Sequence, residues 1–223
     1  MTGAEEKRAN AGRAKEIVKR LRRAYPDATL ALNFTTPFEL LVALILAAQC
    51  TDERVNQVTA SLFKKYRSAR DYASVPQERL EAEVRQTGFF RQKARAIRAC
   101  AQEICQRFGG EAPEGLEDLL TLPGVGRKTA NIVIGNAFGR PAIGVDTHVG
   151  RLAQRLGLSA NSDADKIEAD LTAIIPPKDW VSLCHRLQAH GRHICLARRP
   201  DCPACTLADL CPYYRQKAAV QTG

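Results

Sequence analysis

Four cysteines near the C-terminus, Cys195, Cys202, Cys205 and Cys211, stand at spacings C-x6-C-x2-C-x5-C. Four thiolates in so short a segment can converge on one centre, and thiolates select soft metals, either zinc or an iron–sulfur cluster. Tetrathiolate zinc sites usually read as two C-x2-C knuckles, and only Cys202 and Cys205 form one here. The wide outer arms fit better around a [4Fe–4S] cubane, whose irons lie farther apart than the ligands of a single ion. Zinc is the second reading. Disulfides rank last, because thiols stay reduced in a cytosol and nothing marks the chain for export. Its first twenty residues, Met1 to Arg20, are crowded with Glu, Lys and Arg and lack the apolar core of a signal peptide.

A second constellation is Leu122-Pro123-Gly124-Val125-Gly126, followed by Arg127 and Lys128. Two glycines at that spacing let the backbone turn tightly and bring its N–H groups close to a ligand. The start of the next helix adds its dipole and unpaired donors, so the corner suits a phosphate, although a plain turn between helices would look alike. Cations at a helix start oppose the dipole, and a local rule broken in this way points to function. Asp146, in Val145-Asp146-Thr147-His148, ends an apolar stretch and opens a helix, which makes it an N-cap by position. The two roles are compatible, since a carboxylate at a helix start is rigidly aimed. A lysine and an aspartate meeting at two helix starts would form a nucleophile with a carboxylate partner.

The elements that must hold these groups are helical. Ala14, Ile17, Val18 and Leu21 recur at helical spacing before Tyr25-Pro26, and Pro37 suits the first turn of an apolar helix from Phe38. Thr51 can cap a helix whose inner face is Val55, Val58 and Leu62. Further helices are expected at Leu80–Val84, Arg91–Phe108, Leu116–Thr121, Lys128–Phe138, Val149–Leu156, after the Ser162-Asp163 cap, and from Trp180 to Ile194. No alternating strand, internal repeat or low-complexity tract interrupts them. The fold class is all-α.

With 223 residues and 45% hydrophobic content, the chain can bury one large core or two small ones. Its net charge of +9 favours a polyanionic partner, nucleic acid before membrane, although a basic surface that serves only solubility would carry the same charge. The longest apolar run, Phe38 to Ala48, carries Glu39 and is shorter than the about 20 residues of a membrane span. A cytoplasmic protein, associated with the bacterial nucleoid through DNA, is the expectation.

Taken together, Leu122-Pro-Gly-Val-Gly-Arg-Lys-Thr-Ala-Asn131, Val145-Asp-Thr-His148 and the cysteine spacing closely resemble the endonuclease III family, DNA glycosylases and abasic-site lyases of the helix-hairpin-helix superfamily. The likeness runs from about Ala14 to Tyr214. It implies a six-helix barrel domain over residues 30–141, ending in the hairpin, and a discontinuous iron–sulfur domain from 1–29 and 142–223, with a DNA groove between them. It also implies a [4Fe–4S] cluster on the four cysteines, and double-stranded DNA with damaged pyrimidines or abasic sites as the partner of a monomer. By the same likeness Lys128 holds the catalytic lysine's position and Asp146 the essential aspartate's. Leu122, Gly124, Val125, Gly126 and Arg127 would contact DNA.

Gln49, in Ala48-Gln49-Cys50-Thr51-Asp52, resembles the residue that fills the gap left by an extruded nucleotide, and Asp52 is a candidate for the pocket. Phe89 stands where the family usually presents a leucine wedge, a departure that an aromatic ring could serve by stacking on bases. Arg198 and Arg199 lie in the loop between Cys195 and Cys202, and Arg192 precedes it; the resemblance implies that these cations contact phosphates. Arg91, Arg95 and Arg98 share a helical face, with Lys93 nearby, and read equally as a solvated face or a phosphate track. Two rivals differ in class. An adenine mismatch glycosylase shares the hairpin and the cysteines but lacks a lysine at the position of Lys128, and a non-catalytic DNA-binding module would make Lys128 and Asp146 incidental.

Overall fold

The computed structural model describes the backbone of residues 3–221 and the side chains of residues 11–217. It is helical throughout, with no strand among the described residues. The chain divides into two compact units, one of residues 30–140 and one of residues 1–29 and 141–223.

The continuous unit is built around α2 (Pro37–Leu46), which packs on α3 (Asp52–Lys65), α6 (Phe90–Arg107) and α8 (Arg127–Asn136). A helix apolar on every side belongs at the centre of a bundle. Leu40, Leu41, Ala43 and Leu46 accordingly have no exposed surface. Burying each such leucine contributes roughly 1.5–3 kcal/mol. Glu39 is tolerated there because its carboxylate accepts from Thr35 N at 2.6 Å and Thr35 Oγ1 at 2.7 Å, while the N-cap Thr36 accepts from Glu39 N. The short helices α4 (Ala69–Ser74) and α5 (Gln77–Val84) lie on α6, and α7 (Leu116–Leu120) leads through the hairpin turn into α8.

Helix α4 is not among the helices expected from the sequence, because its six residues are too few to show a periodicity. It buries Ala69 and Tyr72, and its start is fixed by a capping box in which the Ser68 hydroxyl accepts from Asp71 N and the Asp71 carboxylate accepts from Ser68 N.

The discontinuous unit joins α1 (Gly3–Ala24) to α9 (Thr147–Arg155), α10 (Ala164–Ile174), α11 (Trp180–His193) and α12 (Pro212–Gln221). Its core includes Ala14, Ile17 and Leu21 of α1 with Val149, Leu152, Leu171 and Leu187. Helices α9 and α11 approach closely at Gly191, where an added Cβ would stand 2.8 Å from His148 Nδ1. Arg20 of α1 grips Asp209 through both carboxylate oxygens, at 2.5 and 3.0 Å, and donates to Thr206 O, tying the first helix to the cysteine segment.

Candidate functional site

In the continuous unit, Val125 N donates to Leu122 O at 3.1 Å, closing a turn with Pro123 and Gly124 at its centre. Gly124 has φ 79, the value a type II turn requires at its third residue. An added Cβ there would also stand 3.0 Å from Ala96 Cβ on α6. Leu122 and Val125 turn their side chains into the core, so the turn offers a ligand its backbone. Gly126 is the N-cap of α8 and has no side chain with which to cap it. The half-buried Arg127 and the exposed Lys128 follow at once.

Lys128 lines a cavity of about 340 Å³. Gln49, from the turn between α2 and α3, and Phe89, just before α6, line it as well. Gln49 has φ 51 and Phe89 φ 47, left-handed values that cost a side-chain-bearing residue energy. The Phe89 ring is 59% exposed. Asp52 opens α3, half-buried, and is not among the residues lining this cavity.

Lys93 does not join Arg91 and Arg95 at the surface. It is 5% exposed, its Nζ donates to Thr87 O at 2.7 Å, and burial lowers its pKa. That bond fixes the short turn presenting Gly88 and Phe89. Helical spacing put Lys93 beside a basic track, but the i+3 and i+4 geometry that groups the arginines turns Lys93 inward. Arg91 and Arg95 are exposed and Arg98 half-buried.

Asp146 belongs to the discontinuous unit. Its Oδ1 accepts from His148 N at 2.9 Å and Val149 N at 2.7 Å, capping α9, and Oδ2 takes part in neither bond. Val145 and Ile143 are buried beside it, which anchors the strand-like approach to the cap.

The four cysteines Cys195, Cys202, Cys205 and Cys211 line one small cavity of about 20 Å³, together with Arg155, His190 and Tyr213. They are the residues that could hold a metal centre, although among the described residues no three of His, Cys, Asp and Glu are grouped for a single ion. Several N–H groups are aimed at the sulfurs. Arg155 donates to Cys195 Sγ at 3.3 Å, and Leu207 N donates to Cys205 Sγ at 3.4 Å. Burial pushes the Cys205 thiol up to about 11, and raises that of Cys211.

Arg155 also donates to Leu196 O and Ala197 O, and lies 4.6 Å over the Tyr213 ring. Arg151 donates to Gly191 O and Cys195 O. These two arginines fix the loop between the first two cysteines. Sequence reasoning passed over them, although their i, i+4 spacing on one face of an amphipathic helix was the available signal. Arg192, in the last turn of α11, and the loop residues Arg198 and Arg199 are exposed.

Residues 42–177 match the family model described as HhH-GPD superfamily base excision DNA repair protein. The chain is 50% identical over 201 residues to the Endonuclease III of Synechocystis sp., covering 90% of this chain and 92% of that protein. It is 45% identical to the Endonuclease III of Bacillus subtilis, over 84% and 86% of the two chains. A solved structure of a trapped Endonuclease III–DNA covalent intermediate superposes with a TM-score of 0.86 at 42% identity, covering 92% of this chain and 98% of that one. The fold is shared more widely, with a thermostable thymine-DNA glycosylase at a TM-score of 0.85 and 23% identity.

Proposed function

The chain belongs to the HhH-GPD superfamily of base excision DNA repair proteins, and from that membership we propose how its residues carry the reaction. It is a DNA glycosylase and abasic-site lyase of the endonuclease III kind, and its partner is DNA. Oxidised pyrimidines are the substrate bases. A base in duplex DNA must leave the stack before its sugar can be reached.

Lys128 is the nucleophile. The Nζ lone pair attacks the sugar C1′, a C–N bond forms, and the glycosidic bond breaks with its electron pair leaving on the base. The nitrogen then loses a proton as the C1′–O4′ bond breaks and the ring oxygen leaves as a hydroxyl, which gives the Schiff base; loss of a C2′ proton then expels the 3′ phosphate by β-elimination. Asp146 meets the positive charge that develops on the sugar and assists proton transfer. The cap bonds use Oδ1 alone, which is compatible with that second duty.

The observation that carries this reading is the cavity that Lys128 shares with Gln49 and Phe89. Its size falls within the about 300–1,000 Å³ typical of ligand pockets. Two left-handed residues are held at its edge, where strain marks function. Gln49 fills the space of the extruded nucleotide, and Phe89 stacks on the bases it separates. Backbone N–H groups of Gly124, Gly126 and Arg127 receive a phosphate at the start of α8.

Cys195, Cys202, Cys205 and Cys211 fit a [4Fe–4S] cluster, with N–H groups directed at two of the sulfurs. When bound, such a cluster supplies a rigid, electron-accepting crosslink; the lyase chemistry itself needs no electrons. Arg192, Arg198 and Arg199 bind phosphates beside it. Work on DNA puts the protein at the nucleoid, in the cytoplasm.

Borohydride reduction of a reaction with thymine-glycol or abasic duplex tests the nucleophile. The wild-type chain is expected to become covalently attached to DNA and Lys128→Gln is not. A Lys128→Gln variant that still traps and nicks at the normal rate overturns the assignment.

A further inference from the structure

His190 is 2% exposed and stands between two partners. Its Nε2 lies 3.4 Å from Cys205 Sγ, and its Nδ1 lies 3.0 Å from the Tyr25 hydroxyl. The Tyr25 ring meets the imidazole edge-on, with centroids 5.7 Å apart and planes at 74°. Tyr25 is itself set by the end of α1, where its N–H donates to Leu21 O at 2.9 Å.

We propose that Tyr25 and His190 form a positioning relay that aims an N–H at the Cys205 sulfur and so raises the reduction potential of the bound cluster. This rests on the four-cysteine reading above. A metal-bound thiolate has no proton to give and can only accept. The hydrogen between His190 and Cys205 therefore sits on Nε2. A neutral imidazole carries one N–H, so Nδ1 is then an acceptor. The Tyr25 hydroxyl, which can serve as either donor or acceptor, donates to it. One phenol thus selects the tautomer, and the tautomer supplies the N–H···S bond, as outer partners do for metal-bound ligands generally.

Such bonds disperse negative charge on the sulfur and favour the reduced state. The backbone N–H of Leu207 gives the same sulfur a second donor at 3.4 Å. Without Tyr25, His190 is free to place its hydrogen on Nδ1 and leave the sulfur with a lone pair facing it. The residue that follows α1 thereby acts on a cysteine 180 positions along the chain.

The test uses the full-length chain, purified anaerobically, with iron and sulfide content, visible spectrum and midpoint potential measured in parallel. His190→Leu is expected to shift the potential to more negative values and to lose iron to a chelator severalfold faster. Tyr25→Phe shifts it in the same direction by less. His190→Gln, whose side-chain amide keeps a donor, returns it toward wild type. If His190→Leu does not accumulate, Tyr25→Phe decides the matter, because it removes one oxygen from a half-buried ring. Brown variants with an unchanged potential overturn the relay. A colourless wild-type protein would instead overturn the cofactor reading on which it rests.

Discussion

Gln49 and Phe89 are the two described non-glycine residues with a left-handed backbone, and both line the cavity of Lys128. Each such conformation costs about 1–3 kcal/mol and persists only where the surroundings enforce it. Enforcement is visible at Phe89, where the buried Lys93 ties down Thr87 two residues earlier. Both side chains are exposed, so burial does not repay the strain.

Glycine accepts these angles without penalty. Gln49→Gly and Phe89→Gly are therefore expected to hold or raise thermal stability, by up to about 1 kcal/mol, while lowering lesion excision. Calorimetry beside a single-turnover assay checks this. A loss of stability with full activity would assign both residues to the fold alone.

Asp146 carries two separable duties. Asparagine caps as well as aspartate, so Asp146→Asn is expected to stay within about 0.5 kcal/mol of wild type yet lose on the order of a hundredfold or more in base removal. Asp146→Ala adds a stability cost of about 1 kcal/mol. Equal activity in wild type and Asp146→Asn would leave only the cap.

Gly124→Ala combines a positive φ with a 3.0 Å approach to Ala96. A destabilisation of about 1–2 kcal/mol is expected from the backbone alone, measured by urea unfolding. DNA affinity should fall with it, since the turn's N–H groups lose their aim. A variant as stable as wild type would mean that the turn adapts.

Neutralising a phosphate contact lowers the salt dependence of binding. Arg198→Ala and Arg199→Ala should each reduce the slope of log K against log salt by about 1, on any DNA sequence. Titrations across a range of salt concentrations read this directly, and an unchanged slope removes those two residues from the interface.

His185 is buried, and that burial, with Arg186 second, holds its imidazole below the usual 6.5. Between the folded value and 6.5 the unfolded chain binds more protons than the folded one. The contribution is present in full above 6.5 and is lost as pH falls through the folded value, by at most about 1.4 kcal/mol per pH unit. His185→Gln should flatten the acid limb of the stability curve. A limb as steep as wild type's would place the acid sensitivity elsewhere.

The all-helical class, most helix positions, and the order of hairpin, aspartate and cysteines were legible in the sequence, because each depends on local periodicity and spacing. Thr51 and Asp163 cap helices as expected, and Pro37 opens the apolar helix. The inward turn of Lys93, the strain at Gln49 and Phe89, and the clasp of Arg151 and Arg155 on the cysteine loop were not legible. Partners beyond the local turn settle them: Lys93 meets a carbonyl six residues back, Arg155 meets carbonyls 41 and 42 residues away, and His190 joins residue 25 to residue 205. Local sequence sets which backbone forms and which chemistry is at hand. Tertiary packing decides which charges are desolvated and which carbonyls and sulfurs they must satisfy, because a buried polar group has to find its partner wherever the fold brings one.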